Sequence, residues 1–206
     1  MVLTWAEVAA GGLVGAGSGT YASTAVRGHY AHHNQVTAAL TLLGCGVGIS
    51  LVLQTHPALF GAACVALLAA ALPLAAIDAA TRTLPDRLLL PAIGACLVPL
   101  TLAAACGSDF GPLWRAGAAG VVVFAAFTAL ALALPGQLGF GDCKAAALCA
   151  LPLGYLGWHH VLLGNLAAYL CAAVYVLGRR LAGRSSSTLA FGPFLFAGAM
   201  IALFVG

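Results

Sequence analysis

The chain has 206 residues, of which 6% are charged and 63% hydrophobic, and its formal net charge is +3. Soluble domains carry roughly 25% charged residues, so the composition excludes an ordinary soluble domain and points to a membrane protein in contact with lipid. The few dispersed positive charges offer no basic block for nucleic acid, and a length near that of one domain makes residues 1–206 a single integral-membrane domain.

A helix that crosses the hydrocarbon core needs about 20 mostly apolar residues. On that criterion the fold class is all-α, a polytopic bundle of about eight transmembrane helices. Their expected limits are 7–26, 36–54, 58–78, 88–106, 116–134, 144–157, 160–178 and 189–205. The N-terminal stretch "MVLTWAEVAAGGLVG" lacks the basic region of a cleavable signal, so its apolar part reads as a retained span. Within it Gly11, Gly15 and Gly19 recur every fourth residue, a stripe that lets helix backbones approach closely in lipid. The segment "GGLVGAGSG" also contains a GxGxG string that resembles a phosphate loop, but no strand precedes it and no βαβ pattern surrounds it, which favours packing.

The next interval, "RGHYAHHNQ", contains His29, His32 and His33. The first and third lie at a spacing that could hold a metal, but no carboxylate or cysteine accompanies them, so a solvated loop is expected and no metal is assigned. The seven cysteines form no CxxC pair and sit mostly in apolar runs, so neither a disulfide framework nor a zinc site is expected. His159 and His160 adjoin Trp158, an expected interfacial anchor. No Gly-x-Ser-x-Gly elbow points to a serine protease.

The loops carry the topology. Cytoplasmic loops are enriched in Lys and Arg. Here Arg27, Arg82, Arg87, Lys144, Arg179, Arg180 and Arg184 all fall in odd-numbered loops, and Arg115 alone falls in an even one. Eight spans then put both termini outside and the odd loops in the cytoplasm.

Only five residues are acidic, and three have ordinary settings: Glu7 and Asp109 near outer span ends, and Asp86 in the turn after Pro85. Asp78 and Asp142 instead adjoin apolar runs, "LPLAAIDAA" and "DCKAAALCALPLG". A carboxylate at mid-bilayer costs about 2.5 to 3.5 kcal/mol, and less near the interface, so such an acid usually faces a cavity or a partner. Both lie at the same expected membrane face, where they can meet. Two close carboxyls do not easily both ionise; one keeps a proton while the other acts as a base toward water, as in aspartic proteases. Such chemistry needs no cofactor and no metal. Around Asp142, Gly139 and Gly141 are expected to allow unusual backbone geometry and to clear space for a peptide, in a short irregular segment that follows Pro135 and Gly136. A plain glycine-rich loop with a snorkelling Lys144 is the competing reading, and an Asp78–Arg82 pair at helical spacing is another. Lys144 stands two positions from Asp142 and does not share its helical face, so it takes no proton-transfer role.

At these residues the chain resembles the type IV prepilin peptidases, membrane aspartic proteases of the GxGD class. "GFGDCK" (Gly139 to Lys144) is similar to the family's GxGDxK motif. "DAATRTLPDRLLLP" (Asp78 to Pro91, with Pro85 in its turn) is similar to its first aspartate block, and "FGPFLFAGA" (Phe191 to Ala199) to a segment near its C-terminal end. The resemblance runs from about Leu72 to the C-terminus. It implies Asp78 and Asp142 as catalytic dyad, with the leader removed after a glycine from a prepilin or pseudopilin partner at the cytoplasmic face of the inner membrane, in type IV pilus or protein secretion systems. Longer members carry a cytoplasmic domain between the first two spans, often zinc-binding and associated with N-methylation. Arg27 to Gln35 leaves no room for one, which implies peptidase without methyltransferase activity. The alternative is a proton-coupled transporter using the aspartates as a relay, although both acids lie at one edge and no repeat relates two halves.

Overall fold

The computed structural model describes residues 57–81, 84–134, 138–183 and 189–205. All of its regular elements are helices: α1 (Ala58–Thr81), α2 (Asp86–Gly107), α3 (Gly111–Ala133), α4 (Phe140–Leu156), α5 (Trp158–Leu181) and α6 (Gly192–Val205). Four of them, α1, α2, α3 and α5, are long and apolar enough to cross a membrane, and α6 is a shorter apolar helix. The described residues thus form an all-helical membrane protein without strands. The first two expected spans, the Gly11 stripe, the three-histidine interval and both termini lie outside the described residues, which hold six helices at the last six of the eight expected positions.

Helix α4 runs through the middle of the bundle and touches α1, α2, α3, α5 and α6. Ten of its 17 residues are buried, from Cys143 to Gly154, which fits a helix apolar on every side rather than along one stripe. Its neighbours come close because the facing residues are small. A Cβ on Gly154 would strike Ala119 and the backbone of Ala116 on α3, and one on Gly198 of α6 would strike Gly164 and Ala168 of α5. Small residues at crossings are how helices associate in lipid, where hydrophobicity does not distinguish a neighbour from a lipid tail. Leu67, Leu74, Leu89, Leu100, Leu148 and Leu153 fill the core between these contacts. The outer faces of α3 and α5 carry exposed apolar residues such as Val121, Leu132, Leu162 and Val174, suited to lipid.

The helix ends explain two features of the sequence. Arg115, the one basic residue in an even-numbered loop, lies in the second turn of α3 and donates hydrogen bonds to the carbonyls of Gly154, Tyr155 and Leu156. It thereby caps the last turn of α4, whose carbonyls have no partner within their own helix. Asp109 accepts the Gly111 N–H at 2.9 Å and closes the turn between α2 and α3. Several helices also start earlier than hydropathy predicts: α3 begins at Gly111 rather than 116, and α4 at Phe140 rather than 144.

Candidate active site

Asp78 lies in the last turns of α1 and is 4% exposed. It sits where the end of α1 meets the starts of α2, α4 and α6. Pro85 is the N-cap of α2, and its extended backbone and carbonyl start that helix by accepting the N–H groups of Leu88 and Leu89. Leu84, just before it, rests on Gly141: a Cβ there would come within 2.8 Å of the Leu84 Cβ. Two positions from Leu84, Asp86 accepts a hydrogen bond and ion pair from Lys144 Nζ at 2.6 Å. The first acidic block is therefore held on the first turn of α4 by one close apolar contact and one charge pair.

Asp142 occupies that first turn of α4. Its backbone N–H donates to the Gly139 carbonyl at 3.0 Å, and its Oδ2 accepts the Gly139 N–H at 3.3 Å. The side chain thus turns back to the residue that precedes the helix, as the third residue of a capping box does. Its Oδ1 is buried and has no hydrogen-bond partner among the described residues, although buried oxygens are nearly always partnered. Asp142 precedes the apolar stretch that starts at residue 144. Burial, and after it the charge of Asp78, push its carboxyl up to about 6, while the Gly139 N–H pulls it down. Asp78 in turn accepts the Gly192 N–H on Oδ2 at 2.9 Å, from the start of α6.

Two expectations change here. The segment around Asp142 is helical from Phe140 onward rather than an irregular connection. Gly139 has ordinary extended backbone (φ −79°, ψ 146°) and Gly141 is helical, so neither glycine supplies an unusual conformation. What Gly141 supplies is room for Leu84, and the space it clears is taken by the chain's own turn. Lys144 faces Asp86 instead of Asp142. Asp86 had only an ordinary turn role in the sequence, and Gly192 none. The signal for Asp86 was the opposite charge of Lys144 at the same expected membrane edge. Nothing local marks Gly192, because its partner is 114 positions away. Arg82, the alternative partner of Asp78, lies outside the described residues.

An apolar helical bundle that brings two acids from separate helices to one end defines an integral-membrane protein with a carboxyl site. A model of the type IV leader peptidase family matches residues 64–177, more than half of the chain, and that stretch includes both aspartates. The chain belongs to the type IV leader peptidase family. No curated protein and no solved structure matches the chain.

Proposed function

We propose that the protein is an aspartic endopeptidase that removes the leader from a prepilin or pseudopilin, with Asp78 and Asp142 as the dyad that activates water. The observation that carries this reading is the placement of two carboxyls at one end of the bundle, a buried Asp78 on α1 and a half-buried Asp142 on the first turn of α4, both within the stretch matched to a peptidase family. A shared proton gives one acid the task of taking a proton from water and the other that of protonating the scissile carbonyl oxygen or the leaving amine. Attack by the activated water gives a tetrahedral intermediate, and its collapse breaks the amide bond. Neither step calls on a metal or a cofactor.

The described basic residues Arg87, Lys144, Arg179 and Arg180 lie at the aspartate end of the bundle, and Arg115 lies at the other. We take the aspartate end as cytoplasmic on this asymmetry. The substrate's basic leader then approaches from the cytoplasm while its apolar helix stays in the bilayer, at the inner membrane. The short interval Arg27 to Gln35 supports peptidase activity without N-methylation.

The test is to incubate the purified protein in detergent with a prepilin that has a basic leader ending in glycine, then to sequence the new N-terminus. Cleavage directly after that glycine, unaffected by a chelator, is the expected result. An intact substrate, or cleavage that a chelator stops, contradicts the reading.

A further inference from the structure

The block Phe191 to Ala199 lies beyond the residues matched to the family, yet among the described residues it makes the shortest hydrogen bond to either aspartate side chain. The Gly192 N–H donates to Asp78 Oδ2 at 2.9 Å in a buried setting. The local sequence prepares this donor. Pro193 has no N–H, and the Phe194 and Leu195 N–H groups are taken by the Phe191 carbonyl at 3.1 and 3.2 Å. Of the first-turn donors at the start of α6, the Gly192 amide is the one directed at Asp78. The residue must also be small, because a Cβ at position 192 would lie 2.7 Å from that same Oδ2 and 3.2 Å from its Cγ. Phe191 anchors the approach: its ring lies 5.3 Å from Tyr169 on α5 and 6.4 Å from Phe127 on α3, between centroids.

The two acids are therefore held unequally. Asp78 is buried, which disfavours its charge, and has a short, buried N–H on Oδ2, a donor that offsets part of that cost in favour of the carboxylate. Asp142 has the longer 3.3 Å contact on one oxygen and, on the other, a buried Oδ1 with no partner among the described residues, a setting that suits a protonated oxygen. We propose that Gly192 is a positioning residue of the dyad: its amide fixes Asp78 as the member that stays ionised and acts as the base, which leaves Asp142 to carry the shared proton. This assignment rests on the dyad reading above and adds the division of labour within it. At this end of the bundle, the other charged or titratable groups on helices packed against α1 are Asp86 and Arg87 on α2 and Cys143 and Lys144 on α4. Helix α6 brings none. Of these, Asp86 and Lys144 are paired with each other.

The test compares the wild type with Gly192→Ala, using the prepilin with the basic leader. The added methyl drives the Asp78 carboxyl off the amide, so kcat should fall about tenfold or more with KM changed by less than about twofold. The acid limb of the kcat/KM profile, which reports the free enzyme, should rise by about one pH unit. Gly198→Ala crowds the same helix from its α5 side and serves as the structural control; it should lower the thermal midpoint without moving the acid limb. Phe191→Leu keeps the glycine but loosens its anchor, and should shift the limb in the same direction by about half as much; it carries the test if Gly192→Ala does not fold. Infrared titration of the substrate-free protein, with the Asp78 band identified by its loss in Asp78→Asn, gives a readout independent of cleavage. An infrared midpoint within about 0.3 units of wild type in folded Gly192→Ala overturns the positioning role even if cleavage is observed. A shifted midpoint in a protein that cleaves no prepilin supports the role of the amide while contradicting the peptidase reading.

Discussion

At Asp142 the two carboxyl oxygens meet different surroundings, one turned back to the Gly139 amide and the other buried with no partner among the described residues. Burial and the Asp78 charge raise this carboxyl to about 6, so it is protonated below that pH and ionised above it. If Asp142 supplies the proton, kcat/KM should fall as pH rises through about 6, by up to about tenfold per unit; a profile that climbs from pH 6 to 8 would contradict that role. Lys144 acts at a different point. Its pair with Asp86 is partly exposed, at 28% and 56%, and such pairs contribute about 0 to 1 kcal/mol, so its use is to hold the α1–α2 turn against α4. Lys144→Ala and Asp86→Ala should each reduce cleavage a few-fold with little loss of stability, and the exchange Lys144→Asp with Asp86→Lys should recover most of it. A double exchange no better than the single variants would dismiss the pair. The aspartates could be singled out in the sequence because charge is scarce there. The partner of Lys144 stood out less: its opposite charge at the same expected membrane edge was a signal, but a turn acid beside an arginine also has an ordinary local explanation.

At the scale of the elements, the approach of α3 and α4 rests on Gly154 against Ala116 and Ala119, with Arg115 capping the end of α4. Removing that guanidinium leaves three terminal carbonyls short of a donor in an apolar setting. Arg115→Ala should therefore destabilise the protein by about 1 to 2 kcal/mol, read as a lower thermal midpoint in detergent, while the site at the opposite end of α4 keeps its pH profile. An unchanged midpoint would show that lipid or water replaces the cap. Apolar length located the described helices but misplaced several starts, for a physical reason. Hydropathy measures the part that prefers lipid, whereas a helix can begin earlier, in a polar or glycine-rich turn such as Gly111-Pro112, where proline near the first position is favourable; α6 instead begins at Gly192, later than 189. In the GFGD segment the glycines suggest irregular backbone, but they lie at and within a helix start, where Gly141 gives Leu84 room.

For the whole molecule, composition indicated a membrane protein, and the charge alternation gathered the aspartates and most basic residues at one end. The bundle has that arrangement among its described residues, with α4 buried at its centre and its first turn beside the end of α1. What single-sequence reading lacked was the contact between Asp78 and the start of α6, because long-range hydrogen bonds leave no periodicity to detect. The central claim is that these two carboxyls together cleave a peptide bond. It is tested most directly by mass spectrometry of a prepilin incubated with wild type, Asp78→Asn and Asp142→Asn, each first shown to be folded. The account predicts leader release by the wild type and a loss of about 10³-fold or more in each variant. Wild-type-like release by either folded variant would contradict it.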